Sequence, residues 1–507
     1  MLSNKFDHLL IKSSDEITAK DLVNKKSTFH FIGIGGCGMS GIAKVMNKMG
    51  FKVQGSDIQK SDYTNALVAL SNPVKVFIGH DEKNIEGVDI IIFSDVIADD
   101  NPEMQYALKH NIPVMSRALM LDYIMNMDNK TSIGITGTHG KTTTTSFMSI
   151  LLQESNMNPK FINGGIINAY HTNAEFGDGK FSTYEACEAY GNVKYFNPAI
   201  SVITNIELEH MDYYKTSDCL MDYFEKFVER TKELCIIGLD TDLSKQLYAK
   251  YKNNPKIKTI SLDDESTDIY AKDIRTSLNA IVFTAVLKTV SRETKEIHVE
   301  IPILGSHNIK NALCAIYIGN YIGLSDDDII KACKKFTGNK HRFSNVATVN
   351  GIVIIEDYGH HPSEILSVIQ TAKNLLSKNS KITVIFEPHK FSRFADCWSG
   401  FKQAFSDIEN LIITPVFVAG EQPIPNITPE NFAIELMADK NSKLENAISI
   451  KSFSEIAEYV NKFCKEFDLV LSFSAGALKD YIYSLPSQLE ELNKKICEIN
   501  PEKICNI

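Results

Sequence analysis

Glycine, lysine and threonine stand together in ITGTHGKTTTT, residues 135 to 145, directly after the apolar run SIGITG. Gly137, Gly140, Lys141 and Thr142 lie between a strand-like segment and the apolar-periodic stretch TTTSFMSILLQE, the context a phosphate-binding loop requires. Lys141 is placed to hold terminal phosphates, and the Thr142 hydroxyl to hold Mg²⁺. The strict eight-residue form of such loops has glycine where Ile135 stands, so the loop is a variant. A second glycine series, Gly33, Gly35 and Gly38, opens the helix-like GMSGIAKVMNKMG. There the backbone can approach a diphosphate at a helix N-terminus, and Asp57, 22 residues after Gly35, can accept bonds from a ribose or base.

Two acidic segments follow the phosphate loop. Glu185 ends a strand-like run with Glu188 close behind it in YEACEAYGN, and Asn205, Glu207, Glu209 and His210 cluster in TNIELEHMD. Hard oxygen donors with one imidazole suit Mg²⁺ or Mn²⁺ better than zinc. Both segments lie at the C-terminal ends of strands, so their carboxylates and imidazole are expected to face the phosphate loop. Further on, EDYGHHPSEI and FEPHKFSRF bring Asp357, His360, His361, His389, Lys390 and Arg393 to strand ends, a mixed charge suited to an anionic substrate and a second polar partner. His360 and His361 lack the cysteine or spaced third histidine of a zinc site and are read as hydrogen-bonding groups. His30 and His110 are read as structural or surface groups.

The elements that must position these residues are short β-branched runs alternating with helical spacing, the pattern of parallel strands with crossover helices. One series occupies 29 to 36, 51 to 57, 74 to 79, 89 to 95 and 112 to 117; a second starts at 132 to 137, 182 to 187, 199 to 206 and 234 to 240. Runs at 281 to 288 and 296 to 304, joined by a short charged turn, predict an antiparallel addition. A third series occupies 351 to 359, 381 to 389, 409 to 417, 447 to 453 and 468 to 476. The predicted fold is α/β with three domains, each on a mainly parallel sheet: an arm at 1–28, a Rossmann-like domain at 29–130, a P-loop ATPase-like domain at 131–340 and a Rossmann-like domain at 341–507. The arm is given no function.

Bulk properties agree. At roughly 150 residues per domain, a chain of 507 residues predicts about three. Hydrophobic residues at 44% and charged residues at 23% exclude disordered, collagenous and coiled-coil classes. A net charge of -10 with scattered lysines and arginines argues against nucleic acid. Ten cysteines without a C-x-x-C pair suit a reducing cytosol. The start MLSNKFDHLLIKSSDE lacks an apolar signal core, and no run of about 18 apolar residues predicts membrane insertion.

The ordered motifs GIGGCGMSGIA, ITGTHGKTTTT, TNIELEHMD, GSHNIKNA, HRF, EDYGHHPSEI, FEPHKFSR and AGEQPI, spread over residues 29 to 425, resemble those of the Mur ligase family. They are most similar to its branch that adds L-alanine to UDP-N-acetylmuramate. The resemblance implies an ATP-dependent ligase of peptidoglycan precursor synthesis, acting through an acyl phosphate, with ATP and Mg²⁺ as cofactors. It places uridine diphosphate, not NAD, at Gly33, Gly35, Gly38 and Asp57. It implies ATP at Gly137, Thr138, His139, Gly140, Lys141, Thr142 and Thr143, and Mg²⁺ at Thr142, Glu185 and His210, with Glu185 the direct carboxylate ligand and Glu188 acting from behind it. Asn308, Asn311, Arg342 and Asp357 would hold adenosine and phosphates; Tyr358, His360, His389, Lys390 and Arg393 would contact the muramoyl group and alanine. Lys141, Glu185, His210 and Arg393 carry the implied catalysis.

Several positions depart from the family's usual pattern. EACEAY stands for E-A-D-E-S-D, Lys390 for an arginine, Glu387 for a glutamine, and SFSAGALKD matches the late G-A-G-N stretch loosely. Other readings are a recycling ligase that attaches a murein peptide to UDP-N-acetylmuramate, a catalytically weak nucleotide-sugar sensor and a NAD-linked oxidoreductase. GIGGCGMSGIA favours the alanine-adding branch over the first, EACEAY leaves the second open, and GTHGKT argues against the third. The oligomeric state and the preference among Ala, Ser and Gly have no signature in the sequence.

Overall fold

The computed structural model describes residues 4–19, 21–277, 280–288, 294–373, 376 and 380–499. The first sheet contains β1 (Leu10–Ile11), β2 (Thr28–Ile32), β3 (Lys52–Asp57), β4 (Lys75–Ile78), β5 (Ile90–Phe93) and β6 (Val114–Ser116), in the order β1-β6-β5-β2-β3-β4. All its pairs are parallel. β5 is buried along its whole length, as expected of a strand covered on both faces. Strand order reverses between β2 and β5, so a crevice opens there beyond the strand C-termini, between the loops that begin at Gly33 and Ser94. The arm is not an appendage: β1 pairs with β6, and Ile11, Ile17 and Val23 join the core.

The second sheet contains β7 (Thr131–Thr136), β8 (Lys160–Ile167), β9 (Thr172–Glu175), β10 (Phe181–Glu185), β11 (Ile200–Ile203), β12 (Leu234–Gly238), β13 (Ile257–Ile260), β14 (Ile269–Thr276), β15 (Ile281–Lys288) and β16 (Thr294–Ile301). Their order is β16-β15-β14-β13-β12-β11-β7-β10-β8-β9. β7 lies between β11 and β10 with parallel register, which delivers the phosphate loop and both acidic segments to one edge. The antiparallel addition is present as β15 and β16, extended by β14. Apolar faces of the helices Lys141–Glu154 and Ser306–Tyr321 fill the core behind the loop.

The third sheet contains β17 (Ser344–Val349), β18 (Ile352–Asp357), β19 (Ile382–Phe386), β20 (Asn410–Ile413), β21 (Asn446–Ser449) and β22 (Leu469–Phe473), in the order β17-β18-β22-β19-β20-β21. β17 is antiparallel and the remaining pairs are parallel. The first two sheets belong to one compact unit, Met1–Asn339, and the third to another, Lys340–Ile507. Within the first unit the helix Cys37–Lys48 seats on β8 and β9: Asn173 Nδ2 donates to Cys37 O at 2.8 Å, and Lys44 Nζ to Thr172 Oγ1 at 2.7 Å. Among the described residues no helix is long and apolar enough to cross a membrane.

Candidate active site

β7 ends at Thr136, and the chain turns through Gly137 to Gly140 into the helix Lys141–Glu154. Gly140 has φ +83°, and a Cβ there would lie 2.6 Å from Asn311 Oδ1, so glycine answers both a left-handed turn and a close approach. No side chain caps this helix, which leaves its first N–H groups directed at the loop, the arrangement that binds phosphates. Asn205 holds the loop's other limb: its Oδ1 accepts the His139 N–H at 2.9 Å and its Nδ2 donates to His139 O at 3.1 Å. The His139 ring lies 3.5 Å from Glu207. Asn311 accepts from Thr144 Oγ1 at 3.1 Å and donates to Asn308 at 3.2 Å, so the HNIKN pair abuts the loop from the helix Ser306–Tyr321.

The carboxylates divide the work. Glu185, at the end of β10, accepts from Thr142 Oγ1 at 2.8 Å and from the Gly164 N–H at 3.1 Å. Glu188 is only 2% exposed and sits 2.9 Å from Lys141 Nζ and 3.6 Å from His210 Nε2. Glu188 thus faces Lys141 and His210. The chain reverses through Tyr190 and Gly191, both with positive φ, and Glu188 faces Lys141 directly. Burial acts to raise the Glu188 carboxyl, but Lys141 and His210 outweigh it and hold it below the ordinary range. Burial likewise opposes the Lys141 charge, and Glu188 overrides it. Lys141 also donates to Gly137 O at 2.6 Å and Thr138 O at 2.9 Å.

A hydroxyl and a carboxylate 2.8 Å apart at a phosphate loop are hard oxygen donors that fit Mg²⁺, and the His210 imidazole, at the start of the helix Met211–Tyr214, lies on Glu188. Thr142 and Glu185 are brought together, while His210 is paired with Glu188.

In the first sheet, Gly33, Gly35 and Gly38 border the crevice. Asp57 Oδ2 accepts the Gly35 N–H at 2.8 Å, so one oxygen shapes the loop. Arg117, at the end of β6, was not singled out from the sequence; no motif surrounds it. Its Nε donates to Asp95 Oδ2 at 3.2 Å, and Asn192 Nδ2 donates to the same oxygen at 2.8 Å. His30 is structural, as read: it is fully buried 3.4 Å from the buried Glu103. His110 stacks on Tyr106 at 3.8 Å.

In the second unit, Asp357 accepts from the Phe343 and Gly359 N–H groups, each at 2.7 Å. Burial, only partly offset by Arg342 and these bonds, pushes its carboxyl up to about 6. Arg342 lies over the Tyr358 ring at 5.1 Å and 3.6 Å from Glu364. The His360 and His389 rings are 6.0 Å apart, and Arg393 Nη1 donates to His389 Nδ1 at 3.1 Å. Burial together with Arg393, His360 and Lys390 pushes His389 down to about 3, so its ring is neutral at neutral pH. Lys390 lies 4.0 Å from Glu421. His361 Nδ1 is 2.8 Å from the Ser363 hydroxyl. Glu387 is buried, accepting from the Ser474 hydroxyl and from Leu478 N–H at 3.1 Å, which ties FEPH to SFSAGALKD.

Crevice loops on parallel sheets and a lysine-bearing phosphate loop flanked by carboxylates define a nucleotide-binding α/β protein. The chain belongs to the Mur ligase family: residues 28–129 match the Mur ligase family, catalytic domain, residues 135–319 the Mur ligase middle domain, and residues 341–476 the Mur ligase, glutamate ligase domain. It is 36% identical over 467 residues to the UDP-N-acetylmuramate--L-alanine ligase of Bradyrhizobium sp., covering 91% of this chain and 98% of that protein. Against the enzyme of the same name from Brucella ovis it is 36% identical over 470 residues, covering 92% and 98%. The solved UDP-N-acetylmuramate-alanine ligase from Thermotoga maritima superposes with a TM-score of 0.74 at 25% identity, covering 92% of this chain and 99% of that one. A murein peptide ligase from Psychrobacter arcticus shares the fold, with a TM-score of 0.67 at 20% identity and coverage of 91% and 98%.

Proposed function

We propose that this chain joins L-alanine to the carboxylate of UDP-N-acetylmuramate at the expense of ATP, in the cytoplasmic synthesis of peptidoglycan precursors. The observation that carries this reading is the contact set Lys141–Glu188–His210 and Thr142–Glu185 around the phosphate loop of a chain that spans 98% of the L-alanine ligases it resembles. A carboxylate is a poor acyl donor because its leaving group is oxide. Phosphoryl transfer from ATP gives an acyl phosphate; the amine of alanine then adds to its carbonyl, and phosphate leaves. No enzyme nucleophile is required, so positioning and charge neutralisation carry the catalysis.

In this reading the backbone of Gly137, Thr138, His139 and Gly140 cradles the ATP phosphates with Thr143, and Lys141 offsets charge developing on the transferred group. Asn308 and Asn311 fix the loop against the nucleotide. Thr142, Glu185 and His210 would hold Mg²⁺, which when bound neutralises phosphate charge. Gly33, Gly35, Gly38 and Asp57 hold the uridine diphosphate end of the sugar nucleotide. Arg342 and Asp357 are assigned to ATP, and Tyr358, His360, His389, Lys390 and Arg393 to the muramoyl group and alanine. The segments 29–130, 131–340 and 341–507 would then serve sugar nucleotide, ATP and amino acid in turn.

Phosphate release from ATP, with each substrate withheld in turn, tests this. Turnover should require both UDP-N-acetylmuramate and L-alanine. Equal hydrolysis without the sugar nucleotide would refute a ligase, and absence of turnover under all conditions would support a sensor.

A further inference from the structure

Arg117 is placed by β6 on the rim of the crevice where strand order reverses, beside the first glycine loop. A Cβ at position 38 would lie 2.8 Å from Arg117 Nη1, so the guanidinium occupies the space above Gly38, in the first turn of the helix Cys37–Lys48. The guanidinium is held from two sides. Asp95, at the end of β5, takes its Nε, and the Cys187 sulfur interacts with it from the second sheet. Asp95 shares the oxygen that binds Arg117 with Asn192. A planar fork with five N–H donors is thereby oriented toward the loop with one carboxylate partner among the described residues.

We infer that Arg117 is a substrate-binding residue that completes the cradle for the diphosphate of the sugar nucleotide, its guanidinium adding charge and bidentate hydrogen bonds to the N–H groups of the Gly33–Gly38 loop. This inference rests on the proposed function. It adds to that reading a cation supplied by a different strand, in the crevice where open parallel sheets bind their ligands. The neighbouring Cys187 precedes Glu188, the carboxylate on Lys141, so Arg117 borders both the glycine loop and the segment that serves ATP.

Calorimetric titration of the full chain with UDP, which carries the diphosphate but no sugar or carboxylate, provides the test, alongside steady-state kinetics. Arg117→Ala should weaken UDP binding by tenfold or more and raise KM for UDP-N-acetylmuramate similarly, with kcat and KM for ATP nearly unchanged. Arg117→Lys, retaining charge without the fork, should fall between. Gly38→Ala, which displaces the guanidinium, should weaken UDP binding too, and the double variant should be little worse than either single one. Wild-type UDP affinity in Arg117→Ala, or a loss confined to UDP-N-acetylmuramate with UDP unaffected, would overturn the assignment; the second result would place Arg117 on the muramoyl carboxylate. If Arg117→Ala does not fold, Gly38→Ala and Arg117→Lys decide, and unchanged UDP binding in both overturns it. Failure of the ligase reading itself is separate, because the unmodified chain would then not turn over its substrates.

Discussion

Glu185 and Glu188 are three residues apart, yet they touch different groups: Thr142 for the first, Lys141 and His210 for the second. Their replacements should therefore fail differently. Glu185→Gln is expected to raise the Mg²⁺ concentration for half-maximal activity by about tenfold, as loss of a metal-ligating carboxylate does. Glu188→Gln should lower kcat about a hundredfold or more with a smaller change in Mg²⁺ dependence, because it removes the charge that orients Lys141, roughly the cost of losing one transition-state contact. Mg²⁺ titrations of both variants check this, and a Mg²⁺ shift larger in Glu188→Gln would reverse the roles.

His389 provides a pH test. Its folded pKa of about 3 lies below its unfolded value, so its contribution to stability is complete above about 6.5 and is lost as pH falls toward 3. Asp357, raised to about 6, acts oppositely: its contribution is full below about 4 and is lost as pH rises through 6. His389→Asn should flatten the fall of Tm between pH 6.5 and 4 relative to the parent; parallel Tm curves would show that the imidazole is not held neutral.

At the scale of elements, the turn that joins β7 to the helix Lys141–Glu154 carries a conformational demand. Alanine at position 140 would meet both the φ of +83° and Asn311 Oδ1. The left-handed backbone alone costs about 1–2 kcal/mol for a residue with a Cβ. Displacing the turn also moves Lys141. Gly140→Ala is expected to raise KM for ATP at least severalfold while leaving UDP binding intact, since Gly33, Gly35 and Gly38 lie on another sheet. Equal losses at both nucleotides would mean that the variant disturbs the whole first unit. The short β1 shows the converse: two residues add a strand to the sheet edge, and the following Ile17 and Val23 anchor it in the core.

On the scale of the molecule, the apolar clusters of the described residues divide between the units: two flank the third sheet in Lys340–Ile507, and the others fill Met1–Asn339. Cooperative unfolding follows a shared core, so calorimetry should give more than one transition, with a van't Hoff enthalpy below the calorimetric one. UDP should raise the transition of the first unit by mass action and leave the other nearly unmoved. A single two-state transition that shifts as a whole with UDP would contradict this.

The parts legible in the sequence are those whose determinants are contiguous. GTHGKT makes a phosphate loop because adjacent backbone torsions and one helix start build it, and short apolar, β-branched runs mark strands such as β7, β11 and β15 without knowledge of their neighbours. The antiparallel pairing of β15 with β16 could be read because a short connection leaves little choice. β1 has too few residues to form such a run, and β8 and β14 are hidden because polar and glycine positions break up theirs. Glu188 on Lys141, and Arg117 above Gly38, were decided only by tertiary structure. Each joins segments distant in the chain through the register of parallel strands, such as Glu185 beside Ile135, and register is fixed by packing of whole sheets and helices, not by local residue preference.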